Sequence, residues 1–229
     1  MKSKLILIAL FSVSLVFVGP KIYGNKTLNS SASDDIKGKF KDDRDGNVYK
    51  IVKIGEQVWM AENLRYMPLA SDPGLASGVE PYYHVLGYEG TEIKAAKASS
   101  TYKTYGTLYN WTAAQTACPT GWHLPTDDEW TQLTDFVGGE DNAAVLLKSK
   151  EGWEEGGNGS DKYDFAALPG SCLAFGKFHT ENVGHWWTAN EYEHWEDDAY
   201  SRDIWHNKNS VGRYDIHKDF SFSVRCVKD

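Results

Sequence analysis

The sequence predicts an α+β domain on three observations. Strand-like apolar runs stand at both ends of the chain, a short helical stretch lies between them, and the joining loops are rich in glycine, proline and aromatic residues. Strand signals over 48–60 and 185–227 enclose the helix signals of 109–148 instead of alternating with them, which favours segregated α+β architecture over repeated βαβ units. With 229 residues, 41% hydrophobic and 24% charged, the chain suits one core better than two. Aromatic content is the outlier in composition: nine Trp, thirteen Tyr and nine Phe, with every Trp at or after Trp59. Such rings bury large areas with few rotatable bonds, so they serve a loop-rich core and an adhesive surface equally well.

At the start of the chain Lys2 and Lys4 precede an apolar run from Leu5 to Gly19, and residues 1–24 read as a signal peptide. The run is short for a spanning helix, so the mature protein is expected not to be an integral membrane protein. The expected location is outside the cytoplasm: cell surface, periplasm or extracellular space. Removing Lys2, Lys4 and Lys21 with the leader makes the formal net charge of −8 more negative still. An acidic surface disfavours nucleic acid, whose phosphates need a surplus of Lys and Arg. Residues 25–39 read as a flexible linker, because 25–35 is polar, small and without periodicity. The domain proper is expected over 40–229.

Asp45-Gly46 is a hairpin signal, and Val48 to Ile54 forms a strand that Gly55-Glu56 turns back into Val58 to Met60. Residues 67–104, with Pro68, Pro73 and Pro81, read as a long irregular insertion, with a helical turn near 93–99. Tyr109 to Ala117 reads as a short helix that Pro119 ends. Thr126 and Glu129 form a capping box, and Asp127 and Asp128 favour the positive end of the helix that follows. Trp130, Leu133, Phe136 and Val137 are expected on its buried face, with Gly138-Gly139 as its stop. A further helix is expected over 142–148. Strands then follow near 185–188, 199–204, 211–216 and 222–227.

Three cysteines, Cys118, Cys172 and Cys226, leave one unpaired in an exported protein. A Cys118–Cys226 bridge would tie the middle of the chain to its last strand, but spacing alone leaves the pairing open.

The segments DRDGNVYKIVKIGEQVWMAENLRY (44–66), YGTLYNWTAA (105–114), ACPTGWHLPTDDEW (117–130), DFAALPG (164–170), WWTANEY (186–192) and FSVRC (222–226) together resemble the Fibrobacter succinogenes major paralogous domain family. Within them, WHLPTDDEW resembles the LPTEAEW motif of formylglycine-generating enzymes, which implies a C-type lectin-like fold. The resemblance also implies the Cys118–Cys226 pairing. The family pattern has Gly where this chain has Asp164, and a Gly-Gly followed by a basic residue near Gly170-Ser171-Cys172. The turn there is therefore expected to be built differently.

No local motif points to an enzyme. Formylglycine-generating enzymes use a redox-active cysteine pair near the C-terminal part of the fold, where this chain has Cys226 alone. Nucleophile-elbow, HExxH, Walker and GxGxxG patterns are absent from the sequence, and His185, His194, His206 and His217 lack zinc-ligand spacing. The richest constellation is 186–207. Trp195, Trp205, Asn190, Glu191 and Glu193 are its candidate ligand-binding residues, since aromatic faces stack on sugar rings while acids and amides take their hydroxyls. Asp197, Asp198 and Asp203 are candidate calcium ligands. Trp186 and Trp187 read as core. The expected function is a non-catalytic binding or adhesion module for a glycan or a surface protein. A structural component of the envelope is the alternative, with an enzyme of the formylglycine-generating type behind both. Thiol counting on the denatured, unreduced protein is expected to find one reactive cysteine; three would remove the bridge.

Overall fold

The computed structural model describes residues 37–229, so the signal peptide expected over 1–24 and the expected linker up to residue 36 lie outside the described residues. Residues 37–39, read above as the end of the linker, instead open strand β1 (Lys37–Lys41). It pairs antiparallel with β2 (Val48–Ile54), which turns at Gly55 into β3 (Gln57–Met60). The insertion holds β4 (Tyr83–His84), α1 (Ile93–Ala98) and α2 (Ser100–Tyr105), so it is more regular than its prolines suggest.

The middle of the chain departs from expectation in detail. Tyr109 belongs to β5 (Leu108–Asn110), and Asn110 caps α3 (Trp111–Gln115) by accepting the Ala113 N–H. After β6 (Trp122–His123), α4 (Asp127–Val137) starts at the expected capping box, Thr126 with Glu129. Trp130, Leu133 and Val137 are buried as expected, whereas Phe136 is 56% exposed. Its ring lies against Tyr163 on the flank of the helix. Helix α5 (Glu140–Leu147) follows, then the short hairpin of β7 (Leu173–Ala174) and β8 (Lys177–Phe178).

Strands β9 (Val183–Glu191), β10 (Asp198–Trp205) and β11 (Val211–His217) form a three-stranded antiparallel sheet in the order β11-β10-β9. The final strand expected over 222–227 is split into β12 (Ser221–Phe222) and β13 (Val227–Lys228), which enter different sheets. One sheet runs β1-β2-β3-β13-β6 and the other β4-β5-β12-β7-β8. The architecture is thus mixed, with mostly antiparallel sheets and few, short helices. Among the described residues no helix is long and apolar enough to cross a membrane.

Cys118 and Cys226 are joined, with Cα atoms 5.9 Å apart, and Cys172 is free and buried. Beside this bridge, the fully buried Arg225 donates to Asn63 Oδ1 at 2.9 Å, which also accepts from Trp186 Nε1 at 3.0 Å. One amide therefore ties the last segment to β9. At two of the family departures, Asp164 and Ser171 hold φ of 54° and 47°, the left-handed region that glycine favours.

Helix α4 is fixed to the three-stranded sheet by Asp127. Its Oδ1 accepts from Arg202 Nη2 at 2.6 Å, its Oδ2 from Arg213 Nε at 2.7 Å, and its N–H donates to Asn190 Oδ1 at 2.8 Å. The Arg202 side chain is 3% exposed, so removing its carboxylate strands a buried charge. Asp127→Ala is expected to lower unfolding free energy by about 3–5 kcal/mol, measured by urea denaturation. A loss below about 1 kcal/mol would show that solvent or another group replaces the clamp.

Candidate functional site

Strand β10 alternates faces, and this alternation builds the candidate site. Tyr200, Arg202 and Ile204 fall on one face, where Arg202 meets Asp127 and Ile204 joins the aromatic core of Trp59, Trp130 and Trp186. Ser201, Asp203 and Trp205 fall on the other. The register sets Asp203 opposite His185 on β9 and Gly212 on β11, and Ser201 opposite Tyr214. Ser201, Asp203, Trp205, His185 and Tyr214, together with Lys208 and Ile216, line an open groove of about 260 Å³.

The groove is largely apolar, with a few fixed polar groups, as small-ligand sites are. Trp205 donates its indole N–H to Asp203 Oδ2 at 2.6 Å, so the ring orientation is set by a hydrogen bond. Asp203 is only 4% exposed, and burial pushes its carboxyl above the usual range against the opposing pull of the Trp205 and Gly212 N–H groups. Gly212 is required here, because a Cβ at that position would collide with Asp203 Oδ1. His185 stacks on Phe222 at 4.7 Å, and burial pushes its imidazole down to about 4. At neutral pH it is therefore an uncharged ring with one donor and one acceptor. Tyr214 is 44% exposed, and the Lys208 ammonium lies 5.4 Å from the Trp205 ring.

The sequence-derived candidates divide into two groups. Trp205 and Asp203 meet in this groove. Trp195 is 63% exposed and lies in the β9–β10 connection, its ring 5.8 Å from Tyr192. Glu193 accepts from the Tyr200 hydroxyl at 2.7 Å, which holds its carboxyl below the usual range. Glu191 lies 3.3 Å from the Lys218 ammonium, and Asn190 is occupied by Asp127. Asn190 Oδ1 thus latches β9 to the start of α4.

The structure does not bring the candidate calcium ligands Asp198 and Asp203 together. Asp198 and Asp203 stand at opposite ends of β10, about 16 Å apart along the strand and on opposite faces. Among the described residues no cluster of three or more His, Cys, Asp or Glu side chains suits a metal ion.

A second cleft of about 250 Å³ lies between Lys50, Glu62, Arg65 and the 161–168 segment. Its polar groups are largely spent on the fold: Glu62 accepts the Lys50 N–H, Arg65 donates to Val48 O, and Asn63 is saturated by Trp186, Arg225, Tyr105 and Ser223. The β9–β10–β11 groove keeps His185, Tyr214 and Lys208 available. Sequence reading missed all three as site residues. Strand alternation was a usable signal for Tyr214, but its pairing with Ser201 depends on a register the sequence does not display.

Fold and site together define a class: an aromatic-rich α+β domain, cross-linked once, with an open groove on an outer sheet. Residues 52–228 match the Fibrobacter succinogenes major domain, and the chain belongs to that family. No curated protein and no solved structure matches it.

Asp203 gives the groove a thermodynamic signature. A carboxyl raised in the native state binds its proton more tightly there than in the unfolded chain. Ionised Asp203 therefore lowers stability above its native pKa, and stability recovers as pH falls from that value towards 3.8. Asp203→Asn is expected to leave the urea midpoint at neutral pH equal or higher, and to flatten its pH dependence in that window. A loss above about 1 kcal/mol at neutral pH would make the carboxylate a structural asset instead.

Proposed function

We propose that the domain is an exported, non-catalytic binding module on a C-type lectin-like fold, which takes a glycan in the β9–β10–β11 groove. The carrying observation is the Trp205–Asp203 pair: an indole held by its own N–H beside a nearly buried carboxylate. A sugar ring presents an apolar C–H face and a rim of hydroxyls, and the groove offers a counterpart to each. Trp205 and Tyr214 supply aromatic surface, Ile216 an apolar patch, and Asp203, neutral His185 and Lys208 the acceptors and donors. Burial of Asp203 at a cost to stability fits a group kept for binding.

The same features weigh against oxidase chemistry. Cys226 is fully buried in the bridge to Cys118, and burial pushes the free Cys172 thiol up to about 12, which keeps it out of the reactive thiolate form. The C-type lectin-like assignment rests on the WHLPTDDEW resemblance.

A glycan array probed with the mature protein tests the reading. Retention is expected on neutral glycans, equal with calcium and with chelator, and about tenfold weaker for Trp205→Ala. A blank array from a folded sample would overturn it and leave a protein partner in the envelope as the reading to pursue. Undiminished retention by Trp205→Ala would move the site elsewhere.

A further inference from the structure

A row of aromatic rings continues out of the groove. His185, which lies 6.4 Å from the Trp205 ring, stacks on Phe222; Phe222 lies 6.3 Å from Phe220, and Phe220 lies 4.9 Å from Phe175. Phe222 is buried beneath the row, Phe220 is partly exposed, and Phe175 is 83% exposed.

Phe175 is anomalous twice over. It sits in the two-residue turn between β7 and β8 with φ of 52°, followed by Gly176 at 69°. Such a turn favours Asn, Asp or Gly in the first position, and a bulky side chain there is a conformational outlier. Its ring also stands in solvent, so neither the backbone nor the core accounts for a Phe at this place. Strained positions of this kind cluster where a protein meets a ligand.

The charges along the groove are balanced, with one carboxylate from Asp203, one ammonium from Lys208 and an uncharged His185 between the strands. A single sugar would fill the groove and leave the Phe220 and Phe175 rings unused.

We propose, resting on the glycan reading above, that the ligand is an uncharged linear glycan of several sugar units lying along the row from Trp205 to Phe175, with Phe175 a specificity residue for chain length. Successive units of such a chain present successive apolar faces, which Trp205 at one end and Phe220 and Phe175 at the other engage, with the buried Phe222 supporting the rings between them. The balanced charges of the groove give an anionic glycan no net attraction.

Calorimetric titration with linear oligomers of glucose, mannose and N-acetylglucosamine, from single sugars to hexamers, tests it on the wild type, Phe175→Asn and Trp205→Ala. Asn suits the turn, so Phe175→Asn is expected to fold with an equal or higher melting temperature. For at least one sugar series, affinity is expected to rise with length over several units. Phe175→Asn should lose about tenfold on the longest oligomer and nothing on the shortest, whereas Trp205→Ala should lose on both. Affinity that is already maximal with a single sugar, or wild-type behaviour of Phe175→Asn on hexamers, would overturn the proposal while leaving the glycan reading intact. Absence of binding by every oligomer and every single sugar would overturn both.

Discussion

The attachment of α4 to the outer sheet depends on one buried carboxylate. Asp127 stands at the first position of α4 and is shared between Arg202 of β10 and Arg213 of β11, while its own N–H holds Asn190 of β9. All three strands of the outer sheet are therefore referenced to one residue. A buried guanidinium is tolerated only with its charge matched and its N–H groups satisfied. Arg202 meets this requirement with Asp127 Oδ1, the Asp127 carbonyl and the Thr131 hydroxyl. A slip of β10 by one residue would put Asp203 where Arg202 belongs and so break the clamp.

That constraint explains why the groove exists where it does. With Arg202 fixed inward, Asp203 and its neighbours Ser201 and Trp205 must face the other way. Pairing then brings His185 and Gly212 beside Asp203. The lysine that ends α5 adds a second restraint at the far end: Lys148, 3% exposed, donates to the carbonyls of Trp205, His206 and Lys208. It does so without a carboxylate partner among the described ion pairs, and burial pushes its ammonium below the usual range. The turn that carries Trp205 and Lys208 is thus pinned from beneath by a charge, so the aromatic wall of the groove is preorganised instead of being ordered by a ligand.

Much of the fold was legible because its signals are local. The capping box at Thr126 and Glu129 needs only residues three apart, the Gly55 turn needs only its neighbours, and the burial of Trp130, Trp186 and Trp187 follows from their apolar context. Phe136 was misplaced because helical spacing says which residues share a stripe but not how wide the covering layer is. Asp198 and Asp203 are set apart for a related reason. Density of acids along a chain becomes density in space in a loop, but a strand sends alternate residues to opposite faces and separates its ends. The groove was half legible: Trp205 and Asp203 were singled out by composition, while His185, Tyr214 and Lys208 became partners only through register and the Lys148 tether.

Two features of this surface run against stability, and both lie along one aromatic row. Asp203 is a carboxylate held where burial disfavours its charge, beside a position that only glycine can occupy. Phe175 is a large apolar ring held in solvent on a backbone that favours small polar residues. Each could be replaced without loss to the core: Asn at 203 would keep an acceptor for Trp205, and Asn at 175 would relax the turn. Asp127 and Lys148 are also costly buried charges, but each spends its bonds on backbone or on opposite charge and so carries the fold. The structure thus separates charges that hold elements together, at Asp127 and Lys148, from two costly positions, Asp203 and Phe175, that hold no elements together.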